Sequence, residues 1–304
     1  MSTRDHWLAQ LAGLHIDRSR GPAPHKPLLL LAILNRLDEG EPLPERFALT
    51  PELAFRFQTL WTVVTSRRTQ RPDIRLPFHH LQSDAVWSAV TADGVPSPHA
   101  RLTRTVVVDS DFGTFIADAQ NRQDAKRVLI CGDYFMPAER LALAELVGIP
   151  LAEVEAGDAG INAALAEETL GRGREAQFRL RVVAAYNYTC ALTGYRLTTI
   201  DGATIVDAAH IHQFADSRNN DLCNGLALSK NAHWMFDEGL WTISDDYTVI
   251  VAADALHEDG PVGMRLAPFG GKPLAVLPSD TAARPNPVHL AWHRRHAFAS
   301  AREL

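Results

Sequence analysis

One stretch constrains this chain more than any other: "DAAHIHQFADSRNNDLCNGLALSKNAHWMFDEG", residues 207–239. The preceding residues and its own start, "ATIVDAAHI", are apolar and suit a buried strand that ends at His210. "RNNDLCNG" is a turn-rich loop that carries Asn224. Ser229 is a good N-cap for a short helix bearing His233, and Gly239 is a good stop for it. A strand, "LWTIS", follows. Polar groups placed on an apolar framework cost free energy unless they are partnered or used. The order His–Asn–His on strand, loop and helix therefore points to chemistry.

Hydrolysis of a phosphodiester asks for these residue types. A base must take a proton from water, and a cation must stabilise the charge that develops on phosphate and leaving oxygen. His210 suits the base, because an imidazole with a pKa of about 6.5 is mostly neutral at pH 7. Asn224 suits a side-chain hydrogen bond that holds the His210 ring. His233 suits a cation ligand, but one histidine is too few. Asp237 lies one helical turn further on the same face. Asp207 lies three residues before His210, on the opposite side of the strand together with Ala209. Either carboxylate completes the ligand set; phosphate and water fill the rest.

This pattern, "CALTG…VDAAHIHQF…NGLALSKNAHWMFDEGLWTIS", resembles the HNH endonucleases, over roughly residues 178–245. The resemblance implies a ββα-metal fold. It implies a divalent metal, magnesium, manganese or another transition metal. His210 takes the role of general base, Asn224 that of the orienting residue and His233 that of metal ligand. Many relatives have Asp directly before the base; here Ala209 stands there, and Asp207 is the substitute ligand. Many also carry Cys-x-x-Cys knuckles for structural zinc. Cys190 is followed by Thr193, so no knuckle forms and no structural zinc is expected. Cys190 and Cys223 read as small buried hydrophobes.

The 304 residues, 46% hydrophobic and 22% charged, suffice for two ordinary domains. The first, residues 1–155, opens with a short amphipathic helix over 5–14. Pro27 suits the first position of a second helix, "LLLLAILNRL", apolar on most sides and so buried. A third helix covers 51–63, and "RTVVVD" reads as a strand. "TVIVAA", in the second domain, reads as another. Residues 156–177 are poor in large apolar side chains and read as a partly helical linker, leaving 178–304 as the second domain. The fold class is α+β: a mostly helical N-terminal domain with a small sheet, then a ββα-metal domain.

The net charge is −6, so contact with nucleic acid must come from local basic patches. Two N-terminal segments offer them. In "RGPAPHKPLLLLAIL", His25 and Lys26 stand just before a helix N-terminus, where amide N–H groups and positive charge converge. "RRTQRPDIRLPFHH" brings Arg67, Arg68, Arg71 and Arg75 beside Leu76, Pro77 and Phe78, a basic rim around an apolar patch. These segments, with "LAWHRRHAF", resemble restriction endonucleases that bind phosphorothioate DNA, an N-terminal sulfur-binding domain joined to an HNH nuclease. The resemblance implies that His25 and Lys26 flank a pocket of Leu76, Pro77 and His80, which receives sulfur by desolvation. Two departures stand out: relatives have Tyr at Leu76 and a small residue at His80. They keep a methylated base such as methylcytosine open as the ligand.

The expectation is thus a type IV-like restriction endonuclease acting on modified double-stranded DNA. Its rivals are a nuclease for unmodified DNA or RNA, a non-cleaving reader of modified DNA, and a protein-interaction module. Cuts on opposite strands favour a homodimer. No apolar run approaches the roughly 18 residues of a membrane span. "MSTRDHWLAQ" lacks the apolar centre of a signal peptide. Three cysteines fit a reducing compartment. No membrane partner and a cytoplasmic location are expected.

Overall fold

The computed structural model describes residues 2–64, 71–155 and 163–299. They form two compact units, Met1–Gln177 with Thr199–Ala203, and Phe178–Thr198 with Thr204–Leu304. Among the described residues the class is α+β, with helices dominant and small antiparallel sheets.

The first unit runs α1 (Thr3–Ala12), α2 (His25–Asp38), β1 (Arg46–Ala48), α3 (Pro51–Thr62), α4 (Arg75–His80), β2 (Trp87–Val90) and β3 (Thr105–Val108). Then come α5 (Ser110–Ala117), α6 (Ala119–Cys131), α7 (Pro137–Val147), α8 (Leu151–Glu155) and the start of α9 (Ala163–Ala185). The strands pair antiparallel in the order β1-β3-β2. Helix α2 is the core. Leu28, Leu29, Leu30, Leu31, Ala32, Ile33 and Leu34 are all buried, and each such leucine contributes about 1.5–3 kcal/mol of burial. Pro27 sits third in α2, not first, because the helix begins at His25. The physical reason is unchanged, since none of the first four N–H groups of a helix has an intrahelical partner.

Helix α4 is short, and packing fixes its place. Phe78 is fully buried, and the Trp87 indole donates to the Phe78 carbonyl at 2.9 Å. That ties α4 to the sheet and sets the direction of Leu76, Pro77 and His80. Residues 163–177, read from sequence as part of a partly helical linker, are helical in α9. Gly173 there lies so close to α7 that an added Cβ would stand 2.6 Å from the Ala142 carbonyl oxygen.

The second unit begins in α9 at Phe178. It continues with β4 (Val206–His210), α10 (Phe214–Ser217), β5 (Gly225–Ser229), α11 (Lys230–Asp237), β6 (Trp241–Ile243), β7 (Val249–Val251) and α12 (Pro287–His296). Strands β4 and β5 pair antiparallel, with Asp207 opposite Leu228 and His210 opposite Gly225. Strand β5 was not foreseen: "GLALS" has no β-branched or aromatic residue, and pairing with β4 overrides its weak local preference. Ser229 does precede α11 as N-cap, although its hydroxyl makes no capping bond. The "LAWHRRHAF" segment supplies α12. Its buried His293 stacks on Phe236 of α11 at 3.8 Å and 9°, so α12 braces the helix that carries His233.

Candidate active site and DNA-reading cavity

His210 closes β4. Phe178 of α9 lies flat against its ring, centroids 3.9 Å apart and planes 8° apart. Phe214 approaches at 5.6 Å. Gly225 makes room for this stack: a Cβ there would stand 2.4 Å from Val182 Cγ2 and 3.1 Å from the Phe178 ring. The Nε2 of His210 is 2.8 Å from Asn220 Oδ1.

Asn224 is wholly buried, but it does not do what its place in the sequence suggested. Its Oδ1 accepts from the His212 N–H at 2.8 Å. Its Nδ2 donates to the His212 and Asn219 carbonyls, each at 3.0 Å. The amide therefore pins main chain on both sides of the loop, and Asn220 is the residue hydrogen-bonded to the His210 ring. A sequence gives the order of side chains and not their direction, so the two asparagines could not be told apart by reading.

On α11 the His233 Nε2 lies 3.3 Å from Asp237 Oδ2. Burial pushes the Asp237 carboxyl up and the Glu238 charge adds to this; the neighbouring His233, and to a lesser degree His210, oppose it without cancelling it. His210, His233 and Asp237 thus share one electrostatic neighbourhood. Asp207 is engaged elsewhere: the Arg179 guanidinium donates to its Oδ1 at 2.6 Å, and the Ala208 N–H donates to the same oxygen at 3.0 Å. Among the described residues no group of three or more His, Cys, Asp or Glu side chains converges as a metal cage. Cys190 is buried beside Ser229, and Cys223 is half-buried, its thiol pushed up by burial.

The first unit holds a cavity of about 410 Å³. His25, Lys26, Leu76, Pro77 and His80 all line it, joined by His15 and Ile16. Burial leaves His25 harder to protonate than usual, although its bond to the Arg71 carbonyl opposes this. Its Nε2 donates to that carbonyl at 2.8 Å, and its ring leans on Trp61 at 4.8 Å. His80 is lowered too, by burial and then by the Lys26 charge. Leu76 is 42% exposed and offers its side chain to whatever enters.

Lys26 differs from the sequence expectation of an ammonium offered to phosphate. It is buried, and Nζ donates to the His15 carbonyl at 2.6 Å, Ser83 Oγ at 2.9 Å and Asp84 Oδ2 at 2.6 Å. An ammonium has three donors, so all are committed inside the protein. Burial raises the Asp84 carboxyl, but bonds from the His15 N–H and the Lys26 ammonium outweigh it and hold it below the ordinary range. Arg75 is likewise bidentate to Asp73, at 2.8 and 2.7 Å. Arg71 is exposed and lends only its carbonyl to His25. Arg67 and Arg68 lie outside the described residues. Sequence reading missed Asp84, Asn220 and Phe178. The signal for Asp84 was an acid inside a basic segment; "NN" and a lone Phe gave none for the other two.

Residues 4–151 match the family described as "ScoMcrA-like, DNA sulfur-binding domain". Residues 190–244 match the family "HNH endonuclease", whose members generally use a divalent metal. No curated protein matches the chain. A solved structure titled "Modification dependent TagI restriction endonuclease" is 23% identical with a TM-score of 0.30, covering 39% of this chain and 36% of its own. The chain thus spans about a third of that protein's length. The chain thus carries an N-terminal stretch that matches a DNA sulfur-binding domain, followed by a C-terminal stretch that matches an HNH endonuclease domain.

Proposed function

We propose that the chain is a modification-dependent restriction endonuclease that reads phosphorothioate in double-stranded DNA and hydrolyses the duplex. One observation carries the reading. The five side chains expected to receive the modification all line one cavity, and that cavity lies within the residues that match a DNA sulfur-binding domain. Leu76, Pro77 and Ile16 give it apolar wall, which favours a large, weakly hydrated sulfur over oxygen by desolvation. His80, held toward the neutral form, donates to a phosphate oxygen without adding charge, whereas the single N–H of a neutral His25 is committed to the Arg71 carbonyl and leaves that side chain as cavity wall.

In the HNH domain His210 takes a proton from the attacking water. His233 and Asp237 would hold the divalent cation, and the chemistry of this donor set fits one. An imidazole and a carboxylate lie side by side, and the burial that raises Asp237 is relieved by a positive charge. When bound, the cation supplies charge stabilisation at the phosphate. Asp237 replaces Asp207 as second ligand in this reading, because Asp207 is taken by Arg179. Cutting both strands fits a homodimer.

The cavity volume favours a second reading. One water occupies roughly 30 Å³, so about 410 Å³ admits far more than one sulfur atom. A methylated base is the alternative occupant. The test uses matched duplexes of one sequence that are unmodified, phosphorothioate or methylcytosine-containing, with wild type and His210→Ala. Cleavage of phosphorothioate DNA alone, lost in His210→Ala with binding retained, supports the first reading. Cleavage of methylated DNA alone replaces it with the second, and undiminished cutting by His210→Ala removes the nuclease mechanism.

A further inference from the structure

We infer that Asn220 and Phe178 are positioning residues for His210. They fix its tautomer and ring plane so that Nδ1 is the basic nitrogen. The inference rests on the nuclease reading of His210. Phe178 lies outside the residues that match the HNH family.

A neutral imidazole carries one proton, on Nδ1 or on Nε2, and the hydrogen bond made by one nitrogen selects which. The Asn220 Oδ1 at 2.8 Å can only accept. It therefore holds the proton on Nε2 and leaves the lone pair on Nδ1. A hydrogen bond fixes direction along the ring but leaves rotation about that axis. The flat contact with Phe178, 3.9 Å and 8°, removes that freedom. Each support has its own foundation. Asn220 hangs from the loop that Asn224 ties down through the Asn219 and His212 carbonyls. Phe178 is itself buried, on the stretch of α9 that Gly225 admits. Buried Asn224 thus reaches the base through Asn220, two steps away, which accounts for an asparagine in a motif whose side chain never touches the ring it was expected to hold.

The first readout needs no activity. Ring ¹⁵N shifts of His210 in metal-free full-length protein are recorded at about pH 8, above the ordinary histidine pKa of about 6.5. Wild type is expected to show a protonated Nε2 and a pyridine-like Nδ1. Asn220→Ala should show both tautomers, and Asn220→Asp, which keeps the acceptor, should restore one. Phe178→Leu should keep the tautomer. The second readout is cleavage. Asn220→Ala should lower kcat on the order of 10–100-fold with KM unchanged, the size seen when a histidine loses its outer hydrogen-bond partner. Phe178→Leu should also lower kcat.

A wild-type ring protonated on Nδ1 overturns the inference, and so does an Asn220→Ala protein with unchanged ring shifts and kcat. The wild-type spectrum decides even if Asn220→Ala fails to fold. Retained cleavage by His210→Ala would instead sink the nuclease reading, and the tautomer result would stand apart from it.

Discussion

At the scale of single residues, the two candidate ligands separate by what else holds them. Asp207 gives an oxygen to Arg179 and to its neighbour's N–H, so a cation there must compete with a guanidinium. Among the described residues Asp237 has His233 as its ion-pair partner, at 3.3 Å, and burial disfavours its charge. A divalent cation gains more from Asp237. Asp237→Asn should therefore raise the metal concentration for half-maximal cleavage at least tenfold (about 1.4 kcal/mol of lost affinity), and Asp207→Asn much less. The check is a metal titration of cleavage with all three proteins. A larger shift for Asp207→Asn would return the ligand to β4. The expected strand for His210 and helix for His233 are where the sequence put them, because apolar patterning and capping residues fix such elements locally. The partner expected for Asn224 was misread, since a loop's side-chain directions depend on hydrogen bonds that spacing does not encode.

Elements show the same division. Helix α2 could be read directly, because its run of leucines is buried whatever surrounds it. Strand β5 could not, because only its register against β4 makes it a strand. That register also sets the ring stack, since it places Gly225 opposite His210 with no side chain to hold α9 away. Gly225→Ala would drive a methyl to within 2.4 Å of Val182 and 3.1 Å of Phe178. Overpacking of this kind costs about 1–3 kcal/mol. Its relief requires α9 to shift, which moves Phe178 off the His210 ring. The substitution should lower Tm and kcat together. Gly263→Ala, where an added Cβ meets nothing within 4 Å, should change neither. Thermal melts and saturating kcat on both variants decide it. A Gly225→Ala protein with lowered Tm and wild-type kcat would show that the stack does not matter for catalysis.

For the whole molecule the question is how a chain of net charge −6 selects a polyanion. Each phosphate neutralised by a lysine or arginine adds about 0.9 to the slope of log affinity against log salt. Two of the cations expected from sequence to meet DNA contribute little of that, because Lys26 is committed to Asp84 and Arg75 to Asp73. Their roles differ from those of freely offered charges. Lys26→Ala leaves Asp84 buried without its cation, a change worth about 3–5 kcal/mol when one partner of a buried pair is removed. It should lower the Tm of the protein, most of all above the ordinary Asp pKa of about 3.9, where Asp84 is charged in both states. As pH falls through the depressed native pKa of Asp84, wild type loses the same stability and the two proteins converge. Leu76→Asp is the opposite case. Leu76 is 42% exposed, so the fold should tolerate the change, but a carboxylate now faces the incoming group, which remains negatively charged with sulfur or oxygen. The pocket would cease to be drier for sulfur than for oxygen. The ratio of Kd values for ordinary and phosphorothioate duplexes should fall about 5–150-fold toward one, equivalent to roughly 1–3 kcal/mol. The salt slope should stay as it was. Both quantities come from one titration series at several salt concentrations. An unchanged ratio in Leu76→Asp would remove Leu76 from the reading surface, and a wild-type ratio near one would remove sulfur as the ligand and leave the methylated base.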